Sequence, residues 1–260
     1  MIVDSHVHLE EELPLPKLID AMDAAGIDRA VLLAAAQEPI PPIPRTGTAL
    51  LRGCLRVPTF RMPAYRIARR SRRLRPYPRP DNDSVLDAAR RHPDRFIPFA
   101  FVNASLGEEA HDELDRALAA GARGMKLHPW LHDYHLTDAL PLIRRCESGG
   151  LPVLAHLGLG APGDVEAVLD ACPRVKLILA HAGIPHFERL WRLPRIRFDV
   201  ALPALVSRST VRRLLAAVGP DRVLFGSDAP VGIRTDGRHR YRLLPLPDRA
   251  MGENFVALLD

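Results

Sequence analysis

The chain has 260 residues, of which 47% are hydrophobic and 26% charged, and its formal net charge is +5. This composition describes a globular domain and excludes a disordered or collagenous chain, and the absence of any uncharged apolar run of about eighteen residues argues against a membrane-spanning helix. With aromatic residues at only 5%, the core must be built from Ala, Val, Leu and Ile, which suits a layered α/β architecture. The opening MIVDSHVHLEEEL lacks a basic stretch followed by an apolar one, so a cytoplasmic location is expected. Cys54, Cys146 and Cys172 are odd in number and widely spaced, and are read as reduced packing residues. The positive charge is local: residues 61–80 carry eight arginines and no acid, leaving 28 basic against 31 acidic residues elsewhere.

In chain order, IVDSHVH predicts a first strand, and Leu15, Leu18, Ile19 and Met22 at helical spacing before Gly26 predict a first helix. RAVLLAA follows as a second strand. Residues 37–80 are rich in proline and arginine, show no clear period, and far exceed the usual connection of about 2–6 residues. Beyond them the strand-like runs are RFIPFAFVN, RGMKLHP, PVLAHLG, VKLILAH, RIRFDVA and RVLFGSD. Amphipathic stretches separate most of them, several ending at a glycine that allows the left-handed turn closing a helix. Strands this uniformly apolar are buried on both faces, which means parallel strands covered by helices. Eight such units match a single-domain (β/α)8 TIM barrel over residues 1–260. An open doubly wound sheet is the alternative, but no G-x-G-x-x-G follows the first strand. Residues 37–80 then form an insertion over one end of the barrel, acting as a lid or binding arm, or lying as a solvated loop.

Polar residues inside apolar strands carry the chemistry. Asp4, His6 and His8 share one parity, which places all three on the inward side of the first strand. A single core histidine is ordinarily a hydrogen-bonded structural residue. Two at i and i+2, pointing inward, are what a zinc-like divalent ion requires. His156, His181 and Asp228 fall at the ends of later strands, on the face where a parallel barrel builds its active site. Lys126 and His128 share inward parity in GMKLHP, and Trp130, His132, Tyr134 and His135 crowd the loop that follows. His186 and Asp199 carry less weight, while His92 and His111 fall in helical stretches where a solvated face is the simpler reading.

The ordered set DSHVH, GMKLHP, VLAHLG, LILAHAG, LFGSDAP and GENFVALL resembles the amidohydrolase superfamily, in particular its amidohydrolase-related branch. That branch includes aminocarboxymuconate-semialdehyde and resorcylate decarboxylases and dicarboxylate lactone hydrolases. The resemblance spans nearly the whole chain outside residues 37–80. It implies one divalent metal ion, zinc or manganese, held by His6, His8, His156 and Asp228. It further implies that Asp228 takes the proton of an activated water while His181 polarises or protonates the substrate. Asp4 would accept the other N–H of a ligand histidine. Lys126 is open to three readings: a carboxylated bridge to a second metal as in some branches, a buried ion pair, or, with His128 and Trp130, a contact for an anionic substrate. The last is preferred.

Metal-activated hydrolysis of an amide, lactam or lactone in a small, carboxylate-bearing substrate is therefore expected. Non-oxidative decarboxylation of an aromatic or unsaturated acid would use the same residues. Binding of nucleic acid or an acidic partner through residues 61–80 is a third, weaker reading, resting on arginines interleaved with Tyr65 and Tyr77. A homodimer is compatible with the sequence.

Overall fold

The computed structural model describes the chain except for residues 40–44, 70–74, 159–160, 204, 236–237 and 242. Strand β1 (Val3–Leu9) pairs in parallel with β2 (Arg29–Ala34), and β2 with β3 (Phe96–Pro98). A second parallel ladder runs in sequence order through β4 (Ala100–Phe101), β5 (Met125–Leu127), β6 (Pro152–Ala155), β7 (Lys176–Leu179), β8 (Arg197–Asp199) and β9 (Val223–Leu224). Between β3 and β4 stands Phe99, whose N–H still donates to the Leu32 carbonyl at 3.1 Å, so the two are halves of one strand. The ends of the circle meet through Ser5 N–H to Phe225 O at 2.9 Å, Asp228 N–H to His6 O at 2.8 Å and His8 N–H to Ala229 O at 2.8 Å. The architecture is the eight-stranded TIM barrel anticipated from the pattern of apolar runs.

The barrel interior is a cluster of Val3, Val31, Leu33, Ile97, Phe99, Leu154, Ile178 and Leu224, drawn from strands around the circle and closed from one side by Phe255 and Leu258 of α11 (Asn254–Leu259). Outside it, helices cover the strands with the faces their periodicity dictates. In α1 (Leu15–Ala25) the buried Leu18 and Met22 pack against the outward Val7 and Leu32, and the helix stops at Gly26, whose φ of 68° only glycine adopts without strain. Cys146 and Cys172 are buried free thiols in this outer layer, and Cys54 is a free, half-buried thiol. Among the described residues no helix is long and apolar enough to cross a membrane.

Two expectations need correction. The pairing of β1 with β2 shifts register between Asp4 and Val7, so the alternation restarts within the strand. Val3 lies in the interior cluster whereas Val7 packs outside it, and Asp4 is thereby out of phase with His6 and His8. The insertion, in turn, is not aperiodic. It contains α2 (Arg45–Arg56) and α3 (Pro58–Arg69), followed by α4 (Asn82–Arg91), which returns the chain to the barrel. The period of α3 is hidden because its inward residues are Arg61 and Tyr65, while Phe60 and Ile67, the residues a hydrophobic pattern would turn inward, are exposed. The centre of the arginine-rich stretch, residues 70–74, lies outside the described residues.

Candidate metal centre

His6 and His8 enter the site from β1 with their tautomers fixed. The Nδ1–H of His6 donates to Asp199 Oδ2 at 2.9 Å, and that of His8 to the Ala34 carbonyl at 2.7 Å. Each ring therefore turns an Nε2 lone pair inward. Asp228, just beyond β9, faces both: its Oδ1 lies 3.4 Å from His6 Nε2 and 3.8 Å from His8 Nε2. Its side chain keeps 15% of its surface accessible where His6 keeps 1%, so the carboxylate stands on the open side of the group. Asp199 Oδ1 in turn accepts the backbone N–H of His181 at 2.8 Å and of Ala201 at 3.0 Å. One carboxylate thus positions both a candidate ligand and the segment carrying His181.

His181 stacks on His6 with ring centroids 5.0 Å apart, and its buried Nδ1 has no hydrogen-bond partner among the described residues. His181 and Asp228 both hold left-handed backbone conformations, with φ of 55° and 59°. Non-glycine residues adopt this region at a cost of order 1–3 kcal/mol, which concentrates at functional positions.

Burial sets the charges. Desolvation pushes His8 down to about 4 against the opposing pull of Asp228, and His181 down to about 4 against that of Asp199. The same cause takes His6, His128 and His156 well below the ordinary imidazole value. All five rings are neutral near pH 7, the form that coordinates a metal. Asp228 is raised, by burial first, with His8 and Lys126 opposing. Lys126 is fully buried in β5 and drops to about 8 through desolvation, which Asp199 and Asp228 resist. Its Nζ lies 3.0 Å from His6 Nε2. A positive group already sits on the lone pair where a cation would bind.

The donor set suits a divalent ion. Ligand atoms of His6, His8 and Asp228 all lie within 4.8 Å of one another, as do those of His6, His181 and Asp199. They are neutral nitrogens and carboxylate oxygens, the borderline mixture that zinc and manganese accept. Of the four expected ligands, three are brought together. His156, after β6, lies beside them, its ring 4.7 Å from that of His181 and 4.1 Å from that of His128, with Nε2 2.7 Å from the Tyr65 hydroxyl.

Of the expected substrate contacts, His128 stacks on His156 and its Nδ1 accepts the Leu131 N–H at 3.2 Å, capping the short helix α6 (Pro129–His132). Trp130 lies nearly parallel to His156, at 8° and 5.6 Å, and 4.9 Å from the ring of Tyr65. Asp4 does not take the role expected of it. Its Oδ1 accepts the backbone N–H of His6 at 3.1 Å and of Ser227 at 2.9 Å, tying β1 to the last strand, and burial raises its carboxyl to about 7. Asp199 and the Ala34 carbonyl anchor the histidines instead. His132, His135 and His186 bond Tyr77 O, Asp164 and Gly158 O respectively. His111 lies in α5 (Glu108–Ala119) and His92 closes α4. The residue that sequence reasoning did not place here is Tyr65, whose only signal was an aromatic four residues after Arg61 in a basic stretch.

A family model described as amidohydrolase matches residues 3–253. Among solved structures the chain is similar to an uncharacterised TIM-barrel protein from Bordetella bronchiseptica, at 19% identity and a TM-score of 0.71, covering 99% of this chain and 98% of that one. It is also similar to 2,6-dihydroxybenzoate decarboxylase from Rhizobium (18% identity, TM-score 0.61, 99% and 98% covered). A third similar structure is 4-oxalomesaconate hydratase from Rhodopseudomonas palustris (15% identity, TM-score 0.63, 100% and 95% covered). No curated protein matches the chain.

Proposed function

Because the chain belongs to the amidohydrolase family, we propose that it is a metal-dependent hydrolase cleaving a carbon–nitrogen or carbon–oxygen bond, as in an amide, lactam or lactone, of a small carboxylate-bearing substrate. The observation that carries this reading is the convergence of His6 Nε2, His8 Nε2 and Asp228 Oδ1, with the carboxylate on the accessible side. His6, His8 and Asp228 would hold one zinc or manganese ion, with His156 completing the set, and the ion supplies a Lewis acid that lets water react near neutral pH. Asp228, on the accessible side of the group, would accept the proton of the attacking water. His181, kept neutral by burial, polarises the substrate carbonyl as an N–H donor rather than as an imidazolium. Lys126, with His128 and Trp130, receives the substrate's carboxylate end.

Decarboxylation of an aromatic or unsaturated acid is the second reading. It is favoured by the stack of Tyr65, Trp130 and His156, whose ring planes lie within 26° of one another and on which a planar substrate would stack. Elemental analysis of the purified protein tests the common premise: about one ion per chain is expected in the wild type and none in His6→Ala or Asp228→Ala. Screens of lactones and amides, run beside carbon dioxide release from phenolic and enoic acids, then separate the reactions. Carbon dioxide release without hydrolysis of any ester or amide would overturn the hydrolase reading.

A further inference from the structure

Each of the three imidazoles proposed as ligands is anchored by an oxygen at one nitrogen, but the third is anchored by a different part of the chain. His6 is fixed by Asp199 and His8 by Ala34, both belonging to the barrel. His156 is fixed at Nε2 by Tyr65, which belongs to the inserted helix α3. The Tyr65 hydroxyl also lies 3.2 Å from the Leu157 carbonyl, which can only accept. Having one proton, the hydroxyl satisfies both contacts only if it donates to Leu157 O and accepts from His156 Nε2–H. The remaining His156 nitrogen, Nδ1, then carries the lone pair.

This contact is built rather than casual. Tyr65 is 5% exposed and its ring stacks on Trp130. One turn earlier Arg61, at 6% exposure, bonds both carboxylate oxygens of Glu188 at 2.6 and 3.3 Å and lies 4.8 Å over the ring of Phe187. Glu188 belongs to α9 (Glu188–Trp191) and is bonded also by Arg213 from α10 (Arg208–Val218). The helix is thus latched to the barrel by one side chain and enters the site by the other.

We propose that Tyr65 is the positioning residue for His156, so that the inserted helix is a working part of the metal centre and the ion, once bound, holds that helix down. The inference rests on the metal-site reading above and adds that the insertion and the ion stabilise each other. By linkage, whatever affinity the closed helix gives the ion, the ion returns as stability of the closed helix.

The test is a zinc titration of the metal-free full-length chain against a chromophoric chelator, for the wild type, Tyr65→Phe and Arg61→Gln. Limited proteolysis within residues 57–80 and the rise in Tm on adding zinc are measured in parallel. Loss of the hydroxyl is expected to weaken zinc binding about 10- to 100-fold, the usual consequence of removing a partner from a ligand histidine. Arg61→Gln, remote from the ligands, is expected to weaken it less. Zinc should slow cleavage of the insertion in the wild type and not in Tyr65→Phe, and its Tm increment should shrink in that variant; a purely structural tyrosine would lower both Tm values equally. Unchanged zinc affinity in Tyr65→Phe, with protection retained, overturns the proposal while leaving the metal site standing. Failure of the wild type to bind zinc or manganese overturns the metal-site reading itself.

Discussion

At the scale of single residues, an oxygen anchors one nitrogen of His6, His8 and His156 each, and on the inward Nε2 of His6 sits Lys126 Nζ. His181 stands apart, since its buried Nδ1 has no partner among the described residues and its backbone is strained. In the proposed mechanism this ring acts on the substrate. His181→Asn should therefore lower kcat by about 10²- to 10⁴-fold, the range for losing a positioned polar or proton-transferring group, while metal content stays unchanged. Asp228→Asn should cost as much in kcat and also reduce metal content, because the proposed mechanism gives one carboxylate both roles. Steady-state kinetics beside elemental analysis distinguishes the two. These residues were legible because a histidine or aspartate inside an apolar strand has no cheap structural explanation. Asp4 misled for a definite reason: parity extrapolates only along a regular strand, and the register shift before Val7 breaks it. Asp199 was visible in RIRFDVA, but nothing in one strand reveals that its oxygens reach His6 and His181 across the barrel.

At the scale of elements, the strands were legible because two-sided burial leaves an apolar run, and their order followed from the alternation with helices. The third strand shows how tightly those runs are packed. A Cβ added at Gly124 would lie 2.5 Å from the Phe99 ring, which is buried in the barrel interior between β3 and β4. Gly124→Ala should overpack that contact and destabilise the fold by about 1–3 kcal/mol. Thermal unfolding should register a fall of roughly 2–4 °C per kcal/mol. The insertion escaped sequence reasoning because α3 turns an arginine and a tyrosine inward and is fixed by an ion pair and ring stacking rather than by aliphatic burial. Its docking should correspondingly depend on charge: raising salt from 0.05 to 1 M, as round figures spanning the screening range, should speed proteolysis of residues 57–80 while cleavage elsewhere in the barrel is unaffected.

At the scale of the whole molecule, stability and pH are linked through the interior of the site. His8 and His181 titrate near 4 in the folded chain and near 6.5 when unfolded. Between these values the unfolded chain takes up protons that the folded one refuses, so the metal-free protein loses stability as pH falls from about 6.5 to about 4. Asp4, raised to about 7, opposes this, since its protonated folded form contributes stability that is lost as pH rises from about 3.8 to about 7. The five lowered imidazoles outweigh the two raised carboxyls, Asp4 and Asp228. Chemical denaturation of the metal-free protein across that window should show free energy increasing with pH, and a falling curve would contradict the charge states assigned to the rings.

The hydrogen bonds that join the ends of the circle have a further consequence, for how the site comes into being. Asp228 N–H donates to His6 O, so the first candidate ligand and the last become neighbours only when the final strand docks. Contacts between the two ends of a chain are the slowest to form, because the loop they close is the longest. A ribosome-bound chain lacking its last strand therefore has His6, His8 and His156 but no Asp228 to face them. Tight uptake of the proposed ion would then be a late event of folding, and its capture would report that the barrel has closed through its eighth strand.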